Sequence, residues 1–488
     1  MQDILLTKTL LMKGFQCPKQ LYLHLKNPEL ASADKNLKIK EEGNKVGVLA
    51  QDIFPTGVLV QSKNPLLALD ETSKKINHKI LFEAAFRFEN LYFRADVFEQ
   101  TEDGINIIEV KSSTEVKGYQ VQDLSIQALI LKKLGYKINK LYICHINRSY
   151  DLSMPLSDLF ILSDETETVI GMLTETENKI ENIKNLIKSN PVVKIGPHCT
   201  SPFECPFKRH CFSKVTADKD SILNFPHLKQ KWDLFNSGKI RVQDLNDSDL
   251  KSEGQKLALK KFKAGKEFID HAGIRADISN WSYPLYFLDF ETVDTVYPKY
   301  PKTKPNTKIT YQFSLFKLDL VESDPTLIKA YLAESLDTDP RHELGRALVE
   351  GLKGSGSIVS YNASFERGRV EELAQLIPEL KQDLLDIKSR IVDLLPVMRD
   401  HVFNRDFNWS WSIKSVIPAL FGEAASYKNL SVSNGLDAQA LYLKSLKDNN
   451  LSENKDFLIE YCNKDVEEMI RLYKFLIDKL YEIDFSSS

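Results

Sequence analysis

Two carboxylates and a lysine crowd the run "RADVFEQTEDGINIIEVKSST", residues 94–114. Apolar residues alternate on both sides of Asp103-Gly104, a turn signal, and so predict an antiparallel hairpin. Alternation puts Ile105, Ile107, Glu109 and Lys111 on one face, and Ile108 and Val110 on the other. A four-residue loop at 101–104 sets Asp96 opposite Glu109. Asp96 and Glu109 are then positioned to hold Mg²⁺. Lys111 is positioned to orient or activate a water, or to stabilise a pentavalent phosphate anion. The pattern describes an exposed Glu/Lys pair on a surface hairpin equally well, so taken alone it leaves both readings open.

A second set lies in the last two-fifths of the chain. In "YFLDFETV" the residues Asp289 and Glu291 share one face of a strand, close enough to serve a metal pair about 4 Å apart. "GSIVSYNASFERGRVEEL" predicts a strand, a turn at Asn362 and a helix carrying Glu366. In "YCNKD" the residues Tyr461 and Asp465 stand four apart in a strongly periodic helix, so they share a face. Asp393, in "RIVDLLPVM", is either a further acid of this set or a helix cap. "WSWSIKSVIPALF" brings Lys414 near, with Trp409 and Trp411 suited either to stacking on bases or to packing in a core.

The third set is made of thiols. The chain has six cysteines, three of them in "HCTSPFECPFKRHC" at Cys199, Cys205 and Cys211, with Cys17 far upstream in "FQCPKQLYLHL". Thiolates are soft ligands that suit zinc or an iron–sulfur cluster. No pair of C-x2-C motifs marks a zinc ribbon, although zinc held with His198 or His210 stays open. A disulfide scaffold does not suit so long a chain, and Cys144 and Cys462 read as packing residues.

The elements that carry these residues divide the 488-residue chain into parts. Residues 1–215 read as one mixed unit, with a helical pattern over "TLLMKGFQCPKQLYLHL", strands over 85–111, a helix over 119–135 and the strand "KLYICHI". A long polar helix, "ETENKIENIKNLIKS", leads to the cysteine loop. Residues 216–280 read as a lysine-rich helical connector or a small helical subdomain, and residues 281–488 as a second unit. Composition is 42% hydrophobic and 27% charged, as in a globular protein. The net charge of −3 gives no global basic field, and the basic runs "KKFKAGK" and "YPKYPKTKPNTK" are local. No apolar run reaches the ~18 residues of a membrane span, and the first residues lack a cleavage signal. The expectation is a cytoplasmic protein with no membrane partner. The lack of a G-x-x-x-x-G-K-[ST] loop argues against an ATP-driven motor.

"RADVFEQ…INIIEVKSST" followed by "YQVQDLSIQALIL" resembles the RecB-like branch of the PD-(D/E)xK nucleases, a restriction-endonuclease-like fold. The resemblance implies that Asp96, Glu109 and Lys111 form the catalytic core with Gln127 as the helical glutamine. Gly47 stands where many relatives carry a histidine ligand; Glu42 or Gln51 are the substitutes at hand. One early and three late cysteines are similar to the arrangement in iron–sulfur RecB-like nucleases, CRISPR-adaptation exonucleases among them. This implies a [4Fe–4S] cluster on Cys17, Cys199, Cys205 and Cys211 that clips the ends of the domain together. The ordered trio in the second half resembles the DEDD exonucleases of the ribonuclease-H-like superfamily, relatives of ribonuclease T. It implies Mg²⁺ or Mn²⁺ on Asp289, Glu291, Glu366 and Asp465, with Tyr461 positioning the attacking water, and with Glu366 where relatives supply Asp. Over most of its length the chain resembles bacterial proteins that join the two modules. The function implied is metal-dependent hydrolysis of DNA, exonucleolytic on single strands or free ends, in repair, recombination or defence against foreign DNA. The alternatives are an RNA-processing 3′–5′ exonuclease, and a nucleic-acid-binding scaffold with one or both sites inactive.

Overall fold

The computed structural model describes residues 4–32, 37–213, 215, 219–427 and 431–486. The chain is mixed α/β and forms two compact units. The first is Met1–Ala217 with Thr295–Thr307, and the second is Asp218–Asp294 with Lys308–Ser488. Among the described residues, no helix is long and apolar enough to cross a membrane.

The first unit is built on one sheet of β1 (Leu6–Thr7), β2 (Val58–Leu59), β3 (Ile80–Phe88), β4 (Leu91–Thr101), β5 (Gly104–Val110), β6 (Ile138–Ile146) and β7 (Phe160–Asp164). The order is β2-β3-β4-β5-β6-β7, with β1 added in parallel beside the start of β4. β3, β4 and β5 form an antiparallel meander, while β5 and β6 are parallel and joined by the helix Gly118–Lys133. The β4–β5 turn is tighter than expected. Thr101 pairs with Gly104, leaving only Glu102 and Asp103 between the strands. Gly104 has φ +141°, and a Cβ there would meet the Lys137 carbonyl oxygen at 2.3 Å, so glycine alone fits. The alternation of β5 holds. Ile105 and Ile107 enter one core with Leu124 and Ala128, and Ile108 enters another with Val97 and Cys144.

Residues 9–25 are two helices rather than one: Lys8–Gln16 and Pro18–Lys26. Pro18 lacks an N–H and forces the residue before it out of the helical region, and Cys17 is extended at φ −163°, ψ 117°.

The second unit carries a five-stranded sheet in the order β11-β10-β9-β12-β13. Its strands are β9 (Leu285–Asp294), β10 (Lys308–Leu318), β11 (Thr326–Leu332), β12 (Ile358–Ser360) and β13 (Ile391–Asp393). β9 is central: it pairs antiparallel with β10 and parallel with β12. Leu285 and Phe287 face one core with Val466 and Ile470 of the long helix Leu451–Ser486, and Tyr286, Leu288 and Phe290 face the other. The segment read as a connector or small helical subdomain belongs to this unit. β8 (Glu267–Ile269) pairs with β14 (Val402–Asn404), and Ile222, Val242, Leu245 and Phe262 share a core with Phe403. Its short helices and 3₁₀ turns bury their apolar residues there, which their local lysine content hides.

Candidate functional site

The strongest cluster of possible ligands lies on the second unit's sheet. Carboxylate oxygens of Asp289, Glu291 and Asp465 all lie within 4.8 Å of one another, and among the described residues no other three carboxylate, thiol or imidazole groups do. Asp289 and Glu291 come from β9, and Asp465 from the helix Leu451–Ser486 that crosses the sheet. Glu366, buried near the start of the helix Ser364–Leu376, stands beside this group rather than within it; its Oε2 has no hydrogen-bond partner. The turn that launches that helix is the one expected, with Asn362 at φ +74°. Asp393 caps the helix Leu394–His401, its Oδ1 accepting from the Leu395 and Asn362 N–H groups, both at 3.0 Å.

The electrostatics of the cluster are those of crowded acids. Burial, then the charges of Asp465, Glu291 and Glu366, push the Asp289 carboxyl well above its usual range. Burial and Asp465 push Glu291 up to about 8, and burial followed by Asp393 does the same to Glu366. Burial likewise raises Asp465, whose Oδ1 is unpartnered. Two like unit charges ~5 Å apart repel by about 3 kcal/mol at an effective dielectric near 20, so such a group needs protons or cations between its members. The donor set is all oxygen and anionic, which fits Mg²⁺ or Mn²⁺.

Tyr461 shares its helix face with Asp465, as the spacing predicts. The hydroxyls of Tyr461 and Tyr427 face Asp465, and burial and that carboxylate push both phenols up. Lys414 donates to Tyr461 Oη at 2.6 Å, and its Nζ lies 4.7 and 4.9 Å from the ring centres of Tyr461 and Tyr427. Tyr427 had no local signal. Cys462, read as packing, is fully buried and sets its Sγ 3.9 Å from Asp289 Oδ2. Trp409 packs against Phe225, Phe262 and Phe403, and Trp411 Nε1 donates to the Val402 carbonyl. Both follow the packing alternative.

The raised carboxyls give a pH dependence. Glu291 and Glu366 titrate near 8 when folded and near the ordinary ~4.3 when unfolded. Between those values the folded form holds more protons, so its stability falls as pH rises. In EDTA the protein is expected to melt several degrees lower at pH 8 than at pH 5.5, and saturating Mn²⁺ should remove that difference. Calorimetry at the two pH values, with and without metal, measures it. A melting temperature in EDTA that is equal or higher at pH 8 contradicts the cluster.

In the first unit the hairpin does bring Asp96, Glu109 and Lys111 together. The paired register of β4 and β5 ends at Val97–Ile108, one step from the Asp96–Glu109 pair, where Asp96 Oδ2 accepts from the Val110 N–H at 2.7 Å. Lys111 Nζ lies 2.6 Å from Glu109 Oε1, and Gln127 Nε2 lies 2.6 Å from Oε2. Burial and the Glu109 charge push Asp96 upward; in Glu109 itself burial is outweighed by Lys111 and Lys8, which hold it low. Two participants carried no motif. Lys8 reaches Glu109 from the first helix, and Asp123 accepts from Lys111 at 3.0 Å. The i, i+4 spacing of Asp123 and Gln127 on a helix was the available signal for the latter. At Gly47 a Cβ would meet nothing within 4 Å. Gln51 is half-buried, and the Glu42 side chain lies outside the described residues.

The four cysteines line one pocket, and none forms a disulfide. Burial raises the Cys199 and Cys211 thiols and pushes Cys205 up to about 11, so a ligand must displace protons from them. No three of the sulfurs lie within 4.8 Å of one another. Gln16, also unmarked in the sequence, stitches the loop to the first helix by donating to the His198 and Phe203 carbonyls at 2.7 and 2.6 Å.

Among curated proteins, the uncharacterized protein MG366 homolog of Mycoplasma pneumoniae is 30% identical over 216 residues, covering 40% of this chain and 32% of its own. The uncharacterized protein UU173 of Ureaplasma parvum is 26% identical over 226 residues, covering 41% and 32%. The chain therefore spans about a third of the length of the curated relatives it matches. A family model described as a domain of unknown function (DUF2779) matches residues 286–412, the segment that carries Asp289, Glu291, Glu366 and Asp393.

Proposed function

We propose that the protein is a metal-dependent nuclease that hydrolyses DNA phosphodiester bonds from strand ends, with its working centre on β9. The observation that carries this reading is the convergence of Asp289, Glu291 and Asp465 within 4.8 Å, from elements more than 170 residues apart, with Lys414 as the cation that acts on all three. Stability alone does not favour such a cluster. The strand order β11-β10-β9-β12-β13 supports a ribonuclease-H-like unit, and the β4–β5 hairpin with a parallel β6 supports a PD-(D/E)xK-like one.

In this reading Asp289, Glu291, Glu366 and Asp465 hold Mg²⁺ or Mn²⁺. When bound, the ions supply a water of lowered pKa and positive charge against the phosphate. Tyr461 presents its hydroxyl towards the same space and orients the incoming water. Lys414 holds that hydroxyl and adds a positive charge beside the scissile phosphate. The cysteine pocket holds a [4Fe–4S] cluster in a structural role.

The test incubates the full chain with end-labelled single-stranded DNA, blunt duplex DNA and a matched RNA, in Mn²⁺ or EDTA. Shortening of DNA from an end in Mn²⁺, and none in EDTA, is expected. Faster shortening of RNA transfers the assignment to an RNA exonuclease. Three intact substrates in both Mn²⁺ and Mg²⁺ refute the nuclease.

A further inference from the structure

Glu109 has no acceptor position left for a metal. Its Oε1 takes Lys8 Nζ at 2.7 Å and Lys111 Nζ at 2.6 Å; its Oε2 takes Lys8 Nζ at 2.8 Å and Gln127 Nε2 at 2.6 Å. A carboxylate offers about four lone-pair sites, and all are used. The side chain is 2% exposed, so water does not compete for them. Asp123, the neighbouring acid, also faces both ammonium groups, at 3.0 Å from Lys111 and 3.5 Å from Lys8.

The contrast with the β9 centre is one of charge. There, Asp289, Glu291 and Asp465 face Lys414, which donates to a tyrosine hydroxyl rather than to a carboxylate, while Glu366 stands beside them near Arg369. At the hairpin, three acids (Asp96, Glu109 and Asp123) face two ammonium groups, and they do not gather within 4.8 Å. The lysine is delivered by built structure. β1 pairs with β4, Thr7 caps the helix Lys8–Gln16, and Leu11 and Gly14 of that helix are buried. Lys8 is thus anchored on the backbone and pointed at Glu109 from 101 residues away.

We propose that Lys8 is a resident counter-ion of the hairpin centre: its ammonium takes the place on Glu109 that a divalent cation would need. The divalent ions of this protein then go to the β9 centre, and the hairpin centre stays without them. The hairpin acids therefore do not fit the metal role that the PD-(D/E)xK resemblance implies for Asp96 and Glu109. Assigning the ions to β9 rests on the proposed function; the Lys8 block does not.

The experiment counts Mn²⁺ bound to the full chain by the electron paramagnetic resonance signal of free Mn²⁺. Wild type should bind ions that Asp289→Asn with Asp465→Asn removes and that Glu109→Gln leaves alone. In the Asp289→Asn/Asp465→Asn background, Lys8→Met should create one site at least tenfold tighter than its parent has, and Glu109→Gln should erase it. Lys8→Arg, which keeps the charge, should create none. Lys8→Gln serves as the second neutral variant, and each protein is checked by circular dichroism and melting. Wild-type protein that already binds a Glu109-dependent Mn²⁺ overturns the proposal. So does a folded neutral variant that gains no site. If Asp289→Asn/Asp465→Asn changes no binding while Lys8→Met still gains a Glu109-dependent ion, the β9 reading has failed and the counter-ion stands.

Discussion

Asp289→Asn is expected to slow metal-dependent shortening of single-stranded DNA by about a thousandfold, a loss of about 4 kcal/mol in the transition state. Asparagine matches aspartate in shape, and β9 is held by strands on both sides, so the sheet should survive. What goes is one of the anions that face Asp465, Glu291 and Glu366. The same change should raise the melting temperature in EDTA, because it removes an acid whose ionisation the buried cluster opposes. The paired signs are the signature: less activity, more metal-free stability. Single-turnover degradation and thermal melting measure them. A variant that keeps wild-type rates in Mn²⁺ removes Asp289 from the chemistry.

Cys205→Ser should cost the protein its iron, its visible absorption and much of the stability of the first unit. A group held by both Cys17 and Cys199 closes a loop of 182 residues. The chain-entropy relation for a cross-link of that span gives about 5 kcal/mol. For a unit of this size that is on the order of 10 °C in melting temperature. The two Gln16 hydrogen bonds persist in the variant and keep the loop docked in part. Cys205→Ser combined with Gln16→Ala should therefore melt lower than either alone. The measurement is iron content and melting of anaerobically purified protein. A colourless wild type whose melting is indifferent to Cys205 removes the cluster.

Period-two alternation and a strong turn dipeptide made the β4–β5 hairpin legible, because they act over a few residues. The same holds for Asp289 and Glu291 on β9, and for Tyr461 with Asp465 on a helix. The break at Cys17 was also local: Pro18 announces it, yet the apolar period runs on across it and suggests one helix. Lys8 was not legible. Nothing near "LTKTLL" says that its ammonium will meet an acid on β5, since only the pairing of β1 with β4 fixes the direction in which the helix starts. The choice between connector and small helical subdomain for residues 216–280 stayed open for a related cause. Ile222, Val242 and Phe262 bury themselves against Phe403, a partner far along the chain. Cys462 illustrates the limit of packing arguments, for a buried thiol can pack and still border a carboxylate of the β9 cluster.

The strand that bears Asp289 and Glu291 runs straight into Thr295–Thr307, which belongs to the first unit, before β10 returns. Within that insertion Val296 is buried with Tyr150 and Leu159, and Tyr297 lies against Tyr150 with ring centres 6.2 Å apart. Dissection at a single peptide bond therefore cannot yield two whole bodies. A fragment ending near 217 would lose the plug that covers Tyr150, and the remainder would carry an apolar tongue with nowhere to lodge. Gene fragments designed to isolate one module should keep both crossings, or replace residues 295–307 by a short polar turn.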